Sequence, residues 1–212
     1  MTFGATDLRA GVLIRIGINA APFLLPLMFQ VGFGLDAFHS GALVVAYFLG
    51  NLLMKSVTTP ALRRFGFRSV LVVNGCLAGL FTAACALLAP ATPYPLIVTV
   101  LLLAGATRSM QFTALATLAF ADIDADRRSS ATTISSMSQQ LSMVLGVAVA
   151  AGCVNLAHIW RGAPALGLDD FHAALTVAGA LVGVASLYFL VLARDSGAEV
   201  SGHRQSIWGA RP

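Results

Sequence analysis

The sequence predicts an all-α polytopic membrane protein, a bundle of six helices that span a lipid bilayer. Of its 212 residues, 58% are hydrophobic and only 10% are charged, whereas soluble domains carry about 25% charged residues. The mean hydropathy is +0.83, and the apolar residues fall in long blocks. A chain with so few charges cannot cover a water-soluble surface, so lipid is its predicted solvent.

Six blocks have the roughly 20 apolar residues that one crossing of the bilayer requires. The first block contains Arg15, Asn19 and two prolines and lacks a small-residue cleavage site, so we do not interpret it as a signal peptide. Residues 1–193 are expected to form one six-helix transmembrane bundle, and residues 194–212 a disordered cytoplasmic tail. The predicted spans are, in order, Ala10–Val31, Ser40–Thr58, Ser69–Leu88, Pro95–Ala116, Ala131–Cys153 and Phe171–Ala193.

The arginines between the predicted spans indicate how the bundle is oriented. With six spans, one side carries Arg161 alone, together with Asp36, Asp169 and Asp170. The other side is strongly basic, which is typical of the cytoplasmic face, so both termini are expected to be cytoplasmic. Because these arginines are spread through short loops, the pI of 9.4 does not indicate a nucleic-acid partner. They are Arg9, Arg63, Arg64, Arg68, Arg127, Arg128, Arg194, Arg204 and Arg211.

Polar side chains form stripes on four of the six predicted spans. Polar groups are costly within a bilayer, so their positions carry information. Spans one, two, four and five are predicted to line a cavity, while the mainly apolar spans three and six support them from the lipid side. Single Ser, Thr or Gln residues could instead bond within the bundle, and Lys55 could snorkel to the interface. The predicted substrate-pathway residues are Arg15, Asn19, Gln30, Asn51, Arg108, Gln111, Gln139 and Gln140.

Reactive groups are sparse and scattered. The three cysteines and four histidines show no metal-ligand spacing, and no nucleophile motif or phosphate-binding glycine loop occurs, so neither an enzyme, a metal site nor a cofactor is predicted. Every Asp and Glu lies in a predicted loop or tail. Proton-driven transporters usually need a titratable group within the membrane, and this chain supplies no carboxylate there.

Four segments carry a family resemblance: residues 15–34 (RIGINAAPFLLPLMFQVGFG), residues 62–68 (LRRFGFR), residues 108–113 (RSMQFT) and residues 139–148 (QQLSMVLGVA). Together they resemble the C-terminal half of fourteen-helix drug:proton antiporters, the EmrB/QacA branch of the major facilitator superfamily. The second of these resembles the cytoplasmic loop motif of the superfamily. Arg64, Gly66 and Arg68 match that motif and Arg63 lies beside them, but its usual acidic residue is missing.

The resemblance implies a fold of two six-helix bundles that move about a central site. This chain would be the second bundle, and the coupling acid would lie in the first. The implied function is secondary active transport, with proton-coupled efflux of amphiphilic drugs. Its partners would be the lipid bilayer, a small-molecule substrate and the missing N-terminal half, in the same or a separate chain. The alternatives are a non-transporting six-helix assembly or regulatory subunit, and a homodimer of half-transporters.

Overall fold

The structure is a computed structural model that describes residues 11–119 and 128–191. The first helix, α1, runs from Val12 to Leu27 and widens into a π-helical turn, Met28–Gly32. It is followed by α2 (Ala37–Ala84), a 3-10 turn (Cys85–Leu87) and α3 (Tyr94–Ala119). The last two helices are α4 (Arg128–Arg161) and α5 (Leu168–Leu187), and α5 leads into a 3-10 turn (Tyr188–Val191).

Five helical segments in the described part of the chain are long and apolar enough to cross a membrane. Their mean hydropathies lie between 1.4 and 2.1. The predicted all-α membrane fold is confirmed. The tail at residues 194–212 and the predicted cytoplasmic arginines Arg9, Arg127, Arg194, Arg204 and Arg211 lie outside the described residues.

Predicted spans two and three form one helical element, α2, which is bent at Gly66. Gly66 has φ 74° and ψ 161°, a conformation that glycine adopts without the steric penalty of a side chain. The bent segment has 51 residues and would measure about 77 Å if straight, more than twice the thickness of a bilayer core. Its two arms, residues 37–65 and 67–84, instead fold back on each other, so Tyr47 and Cys85 lie in one apolar cluster. The sequence predicted a loop here, but a single glycine makes the reversal.

Helix α4 differs most from its predicted span. Helix α4 extends to Arg161, beyond the predicted limit at Cys153. The prediction followed apolar character, which marks the part of a helix that lies in lipid. A helix can continue past the lipid boundary, because water and headgroups tolerate polar side chains. Helix α2 begins with an N-cap at Asp36. The Asp36 carboxylate accepts a hydrogen bond from the His39 backbone N–H at 2.8 Å.

Two apolar clusters fill the bundle, one toward each end. The first contains Phe29, Tyr47, Leu101 and Phe171, and the second surrounds the bend at Gly66. Along α1 the boundary between the clusters falls between Ile18 and Ala20, and along α3 it falls between Ala104 and Met110. Buried apolar residues thus pack both ends of the bundle, and residues 19 and 105–109 lie between the two clusters.

Helices approach each other most closely at small residues, as is common in membrane proteins. A Cβ atom built on Gly79 would lie 2.6 Å from the Gly179 carbonyl oxygen, where the second arm of α2 crosses α5. This crossing joins predicted spans three and six. It leaves α1, the first arm of α2, α3 and α4 on the remaining sides of the bundle.

Candidate functional site

The candidate site is centred on Arg108, in the middle of α3. Arg108 is half-buried, and its guanidinium reaches across to α1. Its Nε donates a hydrogen bond to the Ile18 carbonyl oxygen at 3.2 Å, and its Nη2 donates to Asn19 Oδ1 at 3.1 Å. Arg108 precedes the end of α3 at Ala119 by about 17 Å of helix, which is about half the thickness of a bilayer core. Arg108 therefore lies near the middle of the apolar segment Tyr94–Leu118, which is long enough to cross a membrane.

Two glycines, one on α3 and one on α2, allow the close helix crossing next to Arg108. A Cβ atom on Gly105 would collide with the Tyr47 carbonyl oxygen, and one on Gly50 would collide with the Leu102 carbonyl oxygen. The two helices can cross at this distance only because both positions lack side chains. Asn51 is half-buried at the same crossing, with its backbone nitrogen 3.2 Å from the Cβ position of Gly105. The crossing brings Asn51 within about one helical turn of the level of Arg108.

A second close crossing, between α4 and α1, lies at Asn19, which accepts a hydrogen bond from Arg108. A Cβ atom on Gly146 would lie 2.7 Å from the Ile16 carbonyl oxygen and 3.0 Å from Asn19 Cβ. Helix α4 therefore lies directly against the turn of α1 that carries Asn19. Gln139 is half-buried two turns before Gly146, on the same face of α4. Arg15 precedes Asn19 by one turn on α1 and is only 4% exposed.

The charge of this region is positive. Among the described residues, neither Arg15 nor Arg108 has a carboxylate within ion-pair distance. The described acids are Asp36, Asp169 and Asp170, and they lie where helices α2 and α5 begin, at the end of the bundle opposite the Gly66 bend. Arg108 thus bonds neutral oxygen atoms alone, and its charge is not cancelled by a described side chain.

Gln111 lies on another side of α3, away from Arg108. It is fully buried, and its Nε2 donates to the Leu71 carbonyl oxygen at 3.2 Å. Its Oε1 accepts a hydrogen bond at 3.0 Å from Asn74 Nδ2, which also donates to the Thr107 carbonyl oxygen at 2.8 Å. This amide pair joins α3 to the second arm of α2. The sequence analysis did not find it, although the mid-helix amides of Asn74 and Gln111 were a usable signal.

The remaining predicted pathway residues are more exposed. Gln30 is exposed in the π-helical turn at the end of α1, well away from Arg108, and Gln140 is exposed on α4. The structure therefore brings Arg108 and Asn19 into contact and places Arg15, Asn51 and Gln139 around them. It separates Gln30, Gln111 and Gln140 from that contact.

The cytoplasmic loop motif lies at the bend of α2. Gly66 supplies the positive φ that turns the chain, and Arg63 and Arg64 are exposed just before it. Arg68 is half-buried just after it. The guanidinium carbon of Arg64 lies 5.7 Å from the centre of the Phe65 ring, a cation–π distance. The glycine of the motif thus has a clear conformational role, and the arginines are gathered around it.

A separate ion cluster closes the opposite end of the bundle, between α4 and α5. Arg161 donates to both carboxylate oxygens of Asp170, at 3.0 Å and 2.5 Å. The Gly167 backbone N–H also donates to Asp170, at 2.9 Å, and the side chain of Asp170 is 1% exposed. His158 Nδ1 lies 3.6 Å from the same carboxylate. Among the described residues, no group of three or more His, Cys, Asp or Glu side chains could hold a metal ion.

The profile of the Major Facilitator Superfamily matches residues 10–208 of this sequence. The chain belongs to the Major Facilitator Superfamily. Among curated relatives, proteins that carry the name multidrug resistance protein MdtD are similar to it. One from Pectobacterium carotovorum is 37% identical over 143 residues, which is 68% of this chain and 31% of the relative.

Further relatives of the same name give a similar match. One from Serratia proteamaculans is 36% identical over 143 residues, which cover 68% of this chain and 30% of the relative. One from Escherichia coli is 35% identical over 136 residues, which cover 64% of this chain and 29% of the relative. The match thus spans less than a third of the length of these curated relatives. The predicted superfamily is confirmed, and the five long apolar helices among the described residues indicate a multi-pass membrane protein.

Proposed function

We propose that this chain forms the second six-helix half of a drug:proton antiporter of the fourteen-helix type. It would export amphiphilic organic compounds across the cell inner membrane. Its own contribution is a polar surface at mid-membrane, centred on Arg108 and Asn19 and flanked by Arg15, Asn51 and Gln139. Gln30 and Gln140 would border the pathway, and we assign Gln111 to the interior of the bundle.

One observation carries this proposal, the position of Arg108. A charged side chain near the midplane is costly unless it faces a protein interior or a water-filled cavity. Arg108 is half-buried and bonds Ile18 and Asn19 of another helix, so it is held in place without being enclosed. An arrangement built for stability alone would pair or bury the guanidinium. A cation that is held but still accessible is suited to contact a substrate or an acid from a second bundle.

The carboxylates support the view that a second bundle is needed. A proton-coupled transporter requires a group that titrates within the membrane, and the described carboxylates lie at the starts of α2 and α5. The curated relatives are about three times as long as the part that matches this chain. We therefore propose that a first bundle supplies the coupling acid and that this chain supplies the polar surface opposite it.

Reconstitution tests this function directly. The chain alone, and the chain together with a first bundle, would be placed in proteoliposomes with an imposed proton gradient and a fluorescent cationic dye as substrate. We expect gradient-dependent dye movement only when both bundles are present. Dye movement by the chain alone would contradict the half-transporter proposal. A stable chain that moves no dye with any first bundle would favour the non-transporting subunit.

A further inference from the structure

A long apolar groove runs along the outside of the bundle between the two arms of α2. It has a volume of about 440 Å³, which is within the range of small-molecule sites. Its walls come from both arms and its floor comes from α3. Residues that line it include Ala61, Phe65, Val73, Leu77, Ala106 and Met110.

The surface of the groove is apolar even where polar residues line it. Asn74 and Thr107 both border the groove, but their hydrogen-bonding groups are used within the bundle. Asn74 Nδ2 donates to Thr107 and Gln111, and Thr107 Oγ1 donates to the Leu103 carbonyl oxygen at 2.9 Å. Meanwhile Phe65, Val73 and Leu77 are between 40% and 60% exposed. The groove therefore offers contacts to a hydrocarbon chain and few to a polar ligand.

The length of the groove matches one leaflet. It extends along the second arm of α2 from Ser69, next to the bend, to Phe81, a distance of about 18 Å of helix. One leaflet contributes about 15 Å of hydrocarbon. An acyl chain that enters beside the bend would therefore follow the groove toward the midplane.

Two arginines lie beside the end of the groove that is next to the Gly66 bend. Arg64 is exposed with its guanidinium over the ring of Phe65, which lines the groove. Arg68 is half-buried next to Ser69, another lining residue. In the described residues no carboxylate forms an ion pair with either arginine. These guanidiniums are positioned to bind a phosphate at the level of the lipid headgroups.

A second groove in the same bundle provides the contrast. It has a volume of about 230 Å³, is lined by Phe23, Ala151 and Phe171 among others, and lies toward the opposite end. The basic residue near that end is Arg161, which is bound by Asp170. Among the described residues, this second groove thus has mainly apolar walls and a nearby arginine that is already paired with a carboxylate.

We propose that the groove between the arms of α2 is a binding site for one anionic phospholipid. One acyl chain lies along Phe65, Val73 and Leu77, and the phosphate is bound by Arg64 and Arg68. The site is distinct from the Arg108 surface and does not depend on transport.

Photo-crosslinking tests the site. The full chain would be placed in phosphatidylcholine nanodiscs with a small fraction of phosphatidylglycerol that carries a diazirine in its acyl chain. Cross-linked peptides are then mapped by mass spectrometry. We expect labelling of residues 69–81 and of α3 by phosphatidylglycerol well above that by diazirine-phosphatidylcholine. Equal labelling by the two lipids, or cross-links to another protein chain instead, would overturn the proposal.

Matched variants separate the headgroup from the acyl chain. Because each interfacial arginine contributes about fivefold, the double change Arg64→Gln and Arg68→Gln should lower phosphatidylglycerol labelling about 25-fold. The charge-preserving pair Arg64→Lys and Arg68→Lys should keep most of it. Ala106→Phe, which fills the groove, should abolish labelling by both lipids, whereas Ala151→Phe in the second groove should not. Unchanged labelling in the glutamine double variant would contradict the assigned phosphate site, and thermal unfolding checks that each variant is folded.

Discussion

Arg108 and Arg161 lie in opposite electrostatic surroundings. Arg161, at the end of α4, donates to both oxygens of a carboxylate that is 1% exposed. Arg108, in the middle of α3, bonds a backbone carbonyl and a neutral amide of α1. One arginine is paired with a carboxylate near the end of the bundle, and the other bonds only neutral oxygen atoms in the middle of α3.

We interpret this contrast as a difference between a structural role for Arg161 and a proposed transport role for Arg108. An ion pair with extra hydrogen bonds, such as that of Arg161 and Asp170, fixes two helices together, and removing one partner leaves the other charge uncompensated. Neutral partners can hold a guanidinium in position without cancelling its charge. Arg108 therefore remains able to attract an anion or a carboxylate, which is the property that a transport pathway requires.

Arg108→Gln removes the unpaired charge from the comparison and should have the largest effect on transport. The substitution removes the charge and the charge-assisted hydrogen bonds to α1, so transport by the complete transporter should fall about 10- to 100-fold. The measurement is the initial rate of dye efflux in proteoliposomes, normalised to folded protein. Arg161→Gln is the matched control and should leave that rate within a few-fold. Equal losses of efflux rate in both variants would mean that the different surroundings of Arg108 and Arg161 do not affect transport.

Gly105→Ala tests whether the crossing of α2 and α3 positions Arg108. The added methyl would strike the Tyr47 carbonyl oxygen, and the helices would have to separate at a cost of about 2–3 kcal/mol. We expect a lower unfolding temperature together with slower efflux. Gly152, on α4, has no atom within 4 Å of its Cβ position. Gly152→Ala should therefore be neutral or slightly stabilising, and a similar loss in both variants would contradict the steric account.

Asp170→Ala tests whether the ion pair of Arg161 and Asp170 stabilises the bundle without a role in transport. It removes both bonds from Arg161 and the bond from Gly167, so unfolding should become easier by about 2 kcal/mol, between the values for buried and surface pairs. Efflux per folded molecule should change little. Denaturation in detergent, followed by tryptophan fluorescence and helical circular dichroism, measures the loss. A strong effect on efflux at full stability would assign a transport role to this end of the bundle.

Asn74→Leu should give the smallest effect, a loss of about 1 kcal/mol, because amide pairs in membrane bundles contribute little each. The double variant with Gln111→Leu should recover part of that loss, since neither amide is then left unpaired. Efflux should be unaffected. If Gln111→Leu alone slowed efflux without loss of stability, Gln111 would belong to the pathway instead of the bundle interior.

The sequence predicted the spans well because hydropathy and arginine spacing are local properties. It could not predict that Gly66 alone turns the chain, since the same pattern is compatible with a short loop. The contact of Arg108 with Asn19 joins residues that are 89 positions apart, and helical periodicity does not fix which helices become neighbours. For the same reason Gln111 was placed with Arg108, although it bonds Asn74 on another side of α3.

We propose that the side of α3 with the Arg108–Asn19 contact faces a water-filled pathway, whereas the side with the Asn74–Gln111 pair does not. Asn19 and Asn74 are almost equally buried, at 7% and 6% exposure, which makes them a matched pair. Single cysteines at positions 19, 139 and 74 would be introduced after Cys76, Cys85 and Cys153 are replaced. Each variant is then treated in membranes, within the complete transporter, with a membrane-impermeant thiol reagent. We expect labelling at positions 19 and 139 and none at position 74, whereas equal labelling or equal protection at 19 and 74 would contradict a water-filled pathway at Asn19.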